Sequence, residues 1–149
     1  MPTVQLLPFP LVSRGDHVFP VRPLQRLLCA RNHPVTVDGS FGTQTEAAVK
    51  SFQQSKGLDD DGIVGPLTWS KLIVQVQQGS TGDAVRAVQE VMKFHDQSDG
   101  EGPPIHVDGI FGPHTDSWVR GFQDAVGIAS DGIVGPLTWR ALVSGMLSG

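Results

Sequence analysis

The nonapeptide DGIVGPLTW occurs at 61–69 and again, letter for letter, at 131–139. A nine-residue identity that includes a tryptophan restricts the chain to architectures that build one unit twice. Trp69 and Trp139 are 139 − 69 = 70 positions apart, and at that offset VDGSFGTQTEAAVKSFQ (37–53) aligns with VDGIFGPHTDSWVRGFQ (107–123). Nearer the start, Gly15, Val21, Arg22 and Gln25 align with Gly79, Val85, Arg86 and Gln89 at an offset of 64. The difference, 70 − 64 = 6, is an insertion in the second copy, placed in the polar, Gly/Pro-rich stretch HDQSDGEGPPIH at 95–106. The repeats run from about Pro8 to Val74 and from about Ile73 to Gly145, which divides the chain into units at 1–76 and 77–149. A unit of about 70 residues sits near the lower limit for a self-sufficient core, so the two gain by packing together.

Each copy predicts three short helices joined by turns, which makes the fold class all-α: two tandem three-helix repeats. The first helix begins near Pro20 or Ala84. Asp83 serves as an N-cap in the second copy, and Val21, Leu24 and Leu28 match Val85, Val88 and Met92 as one apolar stripe. The second helix begins at Thr43 or Pro113, where proline suits a first helical position, and Gly57 or Gly127 stops it as a left-handed residue. The third begins at Pro66 or Pro136, with Trp69, Leu72, Ile73 and Val76 on one side. The DG pairs ahead of the second and third helices predict Asx turns with positive φ at the glycine.

Composition excludes several classes. The net charge is −4 and the Lys and Arg residues are scattered singly, which argues against nucleic acid and against an anionic membrane surface. No apolar run has the length to span a bilayer. The start, MPTVQLLPFPLV, lacks a basic region and a small-residue cleavage site, so no signal peptide is visible. Cys29 is the sole cysteine, which excludes an internal disulfide, and its apolar neighbours make it a small buried hydrophobe.

The order G-x(5)-V-R-x-[LV]-Q, V-D-G-x-F-G-x-x-T, V-x-x-F-Q and D-G-I-V-G-P-L-T-W strongly resembles the small three-helix peptidoglycan-binding domain often attached to bacterial and phage cell-wall hydrolases. Both copies match through every segment. The resemblance implies a non-catalytic, extracellular or wall-associated protein. The partners it implies are peptidoglycan, through the glycan strand or the stem peptide, and a wall hydrolase. The alternatives it carries are the targeting part of a larger hydrolase or phage endolysin, and a protein-interaction module that kept the fold without the wall ligand. The copies depart from each other at DHVFP (16–20) against STGDA (80–84), in the 95–106 stretch, and at Trp118 against Ala48.

Candidate ligand-binding residues follow from the turns and the aromatics. An indole face suits a sugar ring, but Trp69 and Trp139 lie on the apolar stripe, where core packing is favoured. Trp118 is either a contact between repeats or a binding feature of the second copy. Asp38, Asp61, Asp108 and Asp131 are hydrogen-bonding candidates whose competing role is the Asx turn. Phe41, Thr45, Thr68, Phe111, Thr115 and Thr138 lie in the same turns, with local bonding the favoured role of Thr45 and Thr115. Gln25, Gln53, Gln89 and Gln123 are expected to satisfy buried backbone groups. The preferred ligand site is the groove between VDGxFG and DGIVGPLTW. No metal or cofactor is expected: His95, His106 and His114, with Asp96 and Asp116, fit no compact metal motif, and His17 and His33 look like surface residues. Glu46 and Asp116 are equivalent, exposed helix positions and offer no glycosidase pair. No nucleophile elbow is present, and Cys29 has no evident partner base.

Overall fold

The computed structural model describes residues 6–99 and 105–145. Six helices run in the order α1 (Val21–Ala30), α2 (Thr43–Ser55), α3 (Pro66–Leu72), α4 (Asp83–Asp99), α5 (Pro113–Val126) and α6 (Pro136–Val143). Among the described residues β-pairing is confined to isolated bridges, so the chain is all-α. The pairs α1/α4, α2/α5 and α3/α6 are the repeat seen in the sequence. Gly57 and Gly127 end α2 and α5 at φ 69° and 82°, and prolines open α3, α5 and α6.

A second regularity lies inside each repeat. Val-[Arg/Lys]-x-apolar-Gln occurs four times, as VRPLQ (21–25), VKSFQ (49–53), VRAVQ (85–89) and VRGFQ (119–123). Each ends in a buried glutamine that grips one DG loop. Gln53 Nε2 donates to Asp61 Oδ1 (3.1 Å), the Ile63 carbonyl (3.0 Å) and Thr68 Oγ1 (3.1 Å), while its Oε1 accepts from the Gly62 amide (3.0 Å). Gln123 makes the same four bonds with Asp131, Ile133, Thr138 and Gly132. Gln25 does so with Asp38, Ser40, Thr45 and Gly39, and Gln89 with Asp108, Ile110, Thr115 and Gly109. Every expected Asx turn forms, with Asp38, Asp61, Asp108 and Asp131 accepting from the amide two residues on. The threonines accept from these glutamines instead of bonding within their own helix. The arginine or lysine three residues before each glutamine lies over the DG glycine. At Gly132, where φ is 74°, an added Cβ would meet Asp116 Oδ1 at 2.5 Å.

The repeats interlock without a linker. The Trp69 indole N–H donates to the Pro10 carbonyl (2.8 Å) and Val12 bridges to Val64; equivalently, Trp139 donates to the Val74 carbonyl (2.8 Å) and Val76 bridges to Val134. The segment at Val74–Val76 therefore sits in the second core immediately after α3. This shortens the expected third helix: α3 stops at Leu72, Ile73 is extended, and Val76 is held by a backbone bridge. Arg31, just beyond α1, donates to the Leu72 carbonyl (3.1 Å) and to that of Ile73, satisfying carbonyls that the helix end leaves open. Between repeats, α1 packs along α4. Glu90, its side chain 5% exposed, accepts from Arg22 Nε (3.1 Å) and Nη2 (3.0 Å) and from Arg26 Nε (3.0 Å).

Two other local expectations are corrected. Asp83 is the first residue of α4, not its N-cap, and pairs with Arg86 (3.1 Å). The expected loop at 95–106 is helical as far as Asp99; its residues 100–104 and the starting MPTVQ lie outside the described residues.

A buried amide with four partners gives a direct test. Gln53→Leu strands the Gly62 amide and removes the donor shared by Asp61, Ile63 and Thr68, so urea unfolding is expected to show a loss of about 3 kcal/mol. Gln54→Leu, which loses one exposed bond to Asp60 (2.8 Å), is expected to stay within about 0.5 kcal/mol of the parent.

Candidate functional site

The loop that enters the third helix of each repeat forms a shallow groove. In the first repeat it is lined by Leu58, Asp59, Asp61, Ile63, Pro66 and Leu67, with Thr68 at its base, and encloses about 190 Å³. In the second repeat Ile128, Ala129, Asp131, Ile133, Pro136 and Leu137, with Thr138, enclose the same volume, about 190 Å³. Each pair of lining residues is related by the offset of 70, for example 131 − 61. The turn chemistry explains the shape. The Asx turn and the glutamine draw the loop inward, so Val64 and Val134 are buried while Leu67 and Leu137 remain 73% and 57% exposed.

Each groove carries one positioned carboxylate. Asp61 Oδ1 is used by the Ile63 amide and by Gln53, and Oδ2 makes no hydrogen bond among the described residues. Asp131 has the same arrangement with Ile133 and Gln123. The Ile133 amide holds the Asp131 carboxyl below its ordinary value, with Gln123 assisting, against a desolvation that pushes the other way. An ionised carboxylate beside an apolar wall accepts N–H or O–H donors and packs C–H surface.

The grooves are not identical. Leu11, 72% exposed, walls the first, its Cδ2 packing over Gly65. Gln75 takes that place over Gly135 in the second. The first also carries Asp59 where the second has Ala129.

Of the residues singled out in the sequence, Asp61, Thr68, Asp131 and Thr138 meet in these grooves. Thr68 and Thr138 are buried beneath them. Trp69 and Trp139 are fully buried, with their indole N–H groups used inside the fold. Phe41 and Phe111 are core residues, and Thr45 and Thr115 are buried behind the turns of Asp38 and Asp108. Those turns lie at the other glutamine clasp of each repeat. Trp118 is half-buried and stacks on Phe122 (5.3 Å between centroids) beside His95, inside the second repeat. His33 packs edge-on against Phe52, not free on the surface. Cys29 is only partly buried. Glu46 and Asp116 are half-buried and paired with Lys50 and Arg120, not exposed. The groove residues that sequence reasoning missed are Ile63, Leu67 and their partners Ile133 and Leu137. Their signal was available: Leu67 lies off the Trp69–Leu72 stripe yet is repeated at Leu137.

The family described as "Putative peptidoglycan binding domain" matches residues 20–72 and 81–142. The chain belongs to the peptidoglycan-binding domain family. The two matched stretches fall on α1–α3 and α4–α6. Among curated relatives, an uncharacterised protein in the bpoA1 3' region of Kitasatospora aureofaciens is 46% identical over 48% of this chain and 63% of its own length. The zinc D-Ala-D-Ala carboxypeptidase of Streptomyces albus G is 34% identical over 81% of this chain and 44% of its own length. The N-acetylmuramoyl-L-alanine amidase CwlM of Mycobacterium tuberculosis is 36% identical over 68% of this chain and 27% of its own length. This chain thus spans less than two thirds of each of these relatives. A crystal structure of a peptidoglycan-binding protein from Clostridioides difficile in complex with glutamine hydroxamate is 41% identical, covers 43% of this chain and 40% of that one, and has a TM-score of 0.42. No described helix is long and apolar enough to cross a membrane.

The clasped aspartates give this peptidoglycan-binding domain pair an acid limit. Asp38 and Asp108 are held low chiefly by the amides of Ser40 and Ile110, and Asp131 by that of Ile133. Depressed carboxyls stabilise the fold above the ordinary value of 3.8 and lose that stabilisation as pH falls through their lowered values. The melting temperature is therefore expected to be flat from about pH 8 to 5 and to fall below about pH 4. A triple variant with Asp38→Asn, Asp108→Asn and Asp131→Asn keeps the turn acceptors and is expected to flatten that acid limb.

Proposed function

We propose that this chain binds bacterial cell-wall peptidoglycan without catalysis, through the two grooves ahead of α3 and α6. The observation that carries the reading is their congruence. The same carboxylate, isoleucine, proline and leucine recur at one offset, on surfaces where folding alone does not require exposed leucines. A repeating polymer presents one motif many times, and a protein with two copies of one groove engages two repeats of it. The apolar walls pack sugar or alanine C–H groups, and Asp61 and Asp131 accept from amide or hydroxyl donors.

Binding, not hydrolysis, suits shallow grooves in which one carboxylate is held in place by the turn, because glycoside cleavage needs a paired acid and base and the second carboxylate of the first groove, Asp59, is replaced by Ala129 in the other. The partial span of the carboxypeptidase and the amidase favours a targeting role for such a module, with the wall as its place of action. In that role it acts in cis or in trans with a hydrolase.

Co-sedimentation with purified insoluble sacculi tests the reading. Leu67→Glu and Leu137→Glu replace exposed side chains, so the fold is expected to persist by circular dichroism. Each alone is expected to weaken pelleting about tenfold, and the pair by about a hundredfold or more. A double variant that pellets like the parent would remove the grooves from the mechanism, and a parent that stays in solution would remove wall binding itself.

A further inference from the structure

The residues that break the repeat meet in one place. The first copy has His17-Val18-Phe19 where the second has Thr81-Gly82-Asp83, and the second has Lys93-Phe94 where the first has Cys29-Ala30. These stretches face each other across the α1–α4 seam and line a cleft of about 260 Å³, larger than either groove. Its apolar side is Phe19 stacked on Phe94, ring centroids 4.4 Å apart and planes 21° from parallel. Val18 is 67% exposed beside it.

Its polar side is cationic. Arg22 and Glu90, which line it, are paired; Glu90 also accepts from Arg26 beyond the lining, and Arg22 Nη1 donates to the Val37 carbonyl (3.2 Å). Lys93 supplies the positive charge that remains. Asp38 approaches Arg22, but its carboxylate is already engaged by the Ser40 amide and Gln25. In a chain of net charge −4, this rim is a local reversal of sign.

We propose that the inter-repeat cleft is a third binding site, of different chemistry from the two grooves, and that it takes the free carboxyl end of a short peptide with small apolar side chains. Lys93 receives the carboxylate, Arg22, held by Glu90 and the Val37 carbonyl, adds its charge beside it, and the stacked phenylalanines and Val18 cover the side chains. The volume lies below that of sites for drug-sized ligands, which suits about two small residues. A bare inorganic anion would leave the aromatic wall wet. Within the wall-binding reading, on which this identification rests, the occupant is the carboxyl end of a stem peptide. The grooves then hold the repeating part of the polymer while the cleft reads its uncrosslinked ends.

The test titrates the isotope-labelled full chain with N-acetyl-D-alanyl-D-alanine and with the same dipeptide as its C-terminal amide, followed by amide NMR shifts. Saturable shifts at Val18, Phe19 and Phe94 are expected for the free acid, weakened at least about tenfold for the amide and in Lys93→Glu. Absence of those shifts, equal binding of the amide, or shifts confined to the two grooves overturns the proposal. Sacculus pelleting run in parallel separates the two readings. Pelleting without dipeptide binding sinks the cleft alone, whereas dipeptide binding at the cleft without pelleting sustains the site and sinks wall binding.

Discussion

A primary amide carries two donors and an acceptor in one plane, and that is the chemistry a DG turn leaves unsatisfied when it folds against a helix. The loop presents a carboxylate oxygen, a carbonyl and a hydroxyl to be donated to, and a glycine amide that must donate. Gln25, Gln53, Gln89 and Gln123 meet all four needs from within a helix whose neighbouring residues are core. Each bond contributes about 1 kcal/mol net, but leaving the group unpaired costs more than that. The clasp thus fixes position more than it adds stability. It sets where the chain turns, which residue of the loop faces inward, and how the next helix starts.

The grooves are consequences of that clasp. With Asp61 Oδ1 and Ile63 O tied to Gln53, Val64 is drawn into the core and pairs with Val12. Leu67 is then left outside on the first turn of α3. No separate instruction is needed to make the second groove, because the same letters in the same frame give the same surface. What differs is supplied by the approaching chain: Leu11 in the first repeat, Gln75 in the second. The repeat gives two grooves, and different residues in the approaching segments make them unequal.

The six helices and the starts of α2, α3, α5 and α6 were legible because glycine, proline and aspartate mark them by backbone geometry, which depends on few neighbours. The expected duplication appears as two three-helix repeats. Tertiary contacts decided what the sequence could not show. The third helix stops at Leu72 because Val74 and Val76 are claimed by Trp139 and Val134, residues some 60 positions away. The fourfold glutamine clasp stayed hidden because its spacer varies: from glutamine to aspartate the separations are 13, 8, 19 and 8. A fixed-offset comparison detects the repeat of 70 and passes over a half-repeat of unequal length. Trp69 was ambiguous since an amphipathic stripe on so short a helix does not say how much covers it. The answer lies in Phe9, stacked at 6.0 Å, and in the Pro10 carbonyl.

The seam between repeats obeys a different logic. Glu90 is nearly buried, and a buried carboxylate is tolerated when its partners are well placed. Arg22 is shared between two tasks: its stem covers Gly39 of the first clasp, and its guanidinium reaches Glu90 of the other repeat. The same side chain therefore ties the local turn to the global arrangement of the two units. Where the repeats are equivalent, the same turn calls for the same residues. At the seam α1 and α4 pack on each other, so each meets the other repeat with a different set of side chains. Phe19 and Phe94 break the repeat and stack across this seam, so the surface they form belongs to both halves together and to neither alone.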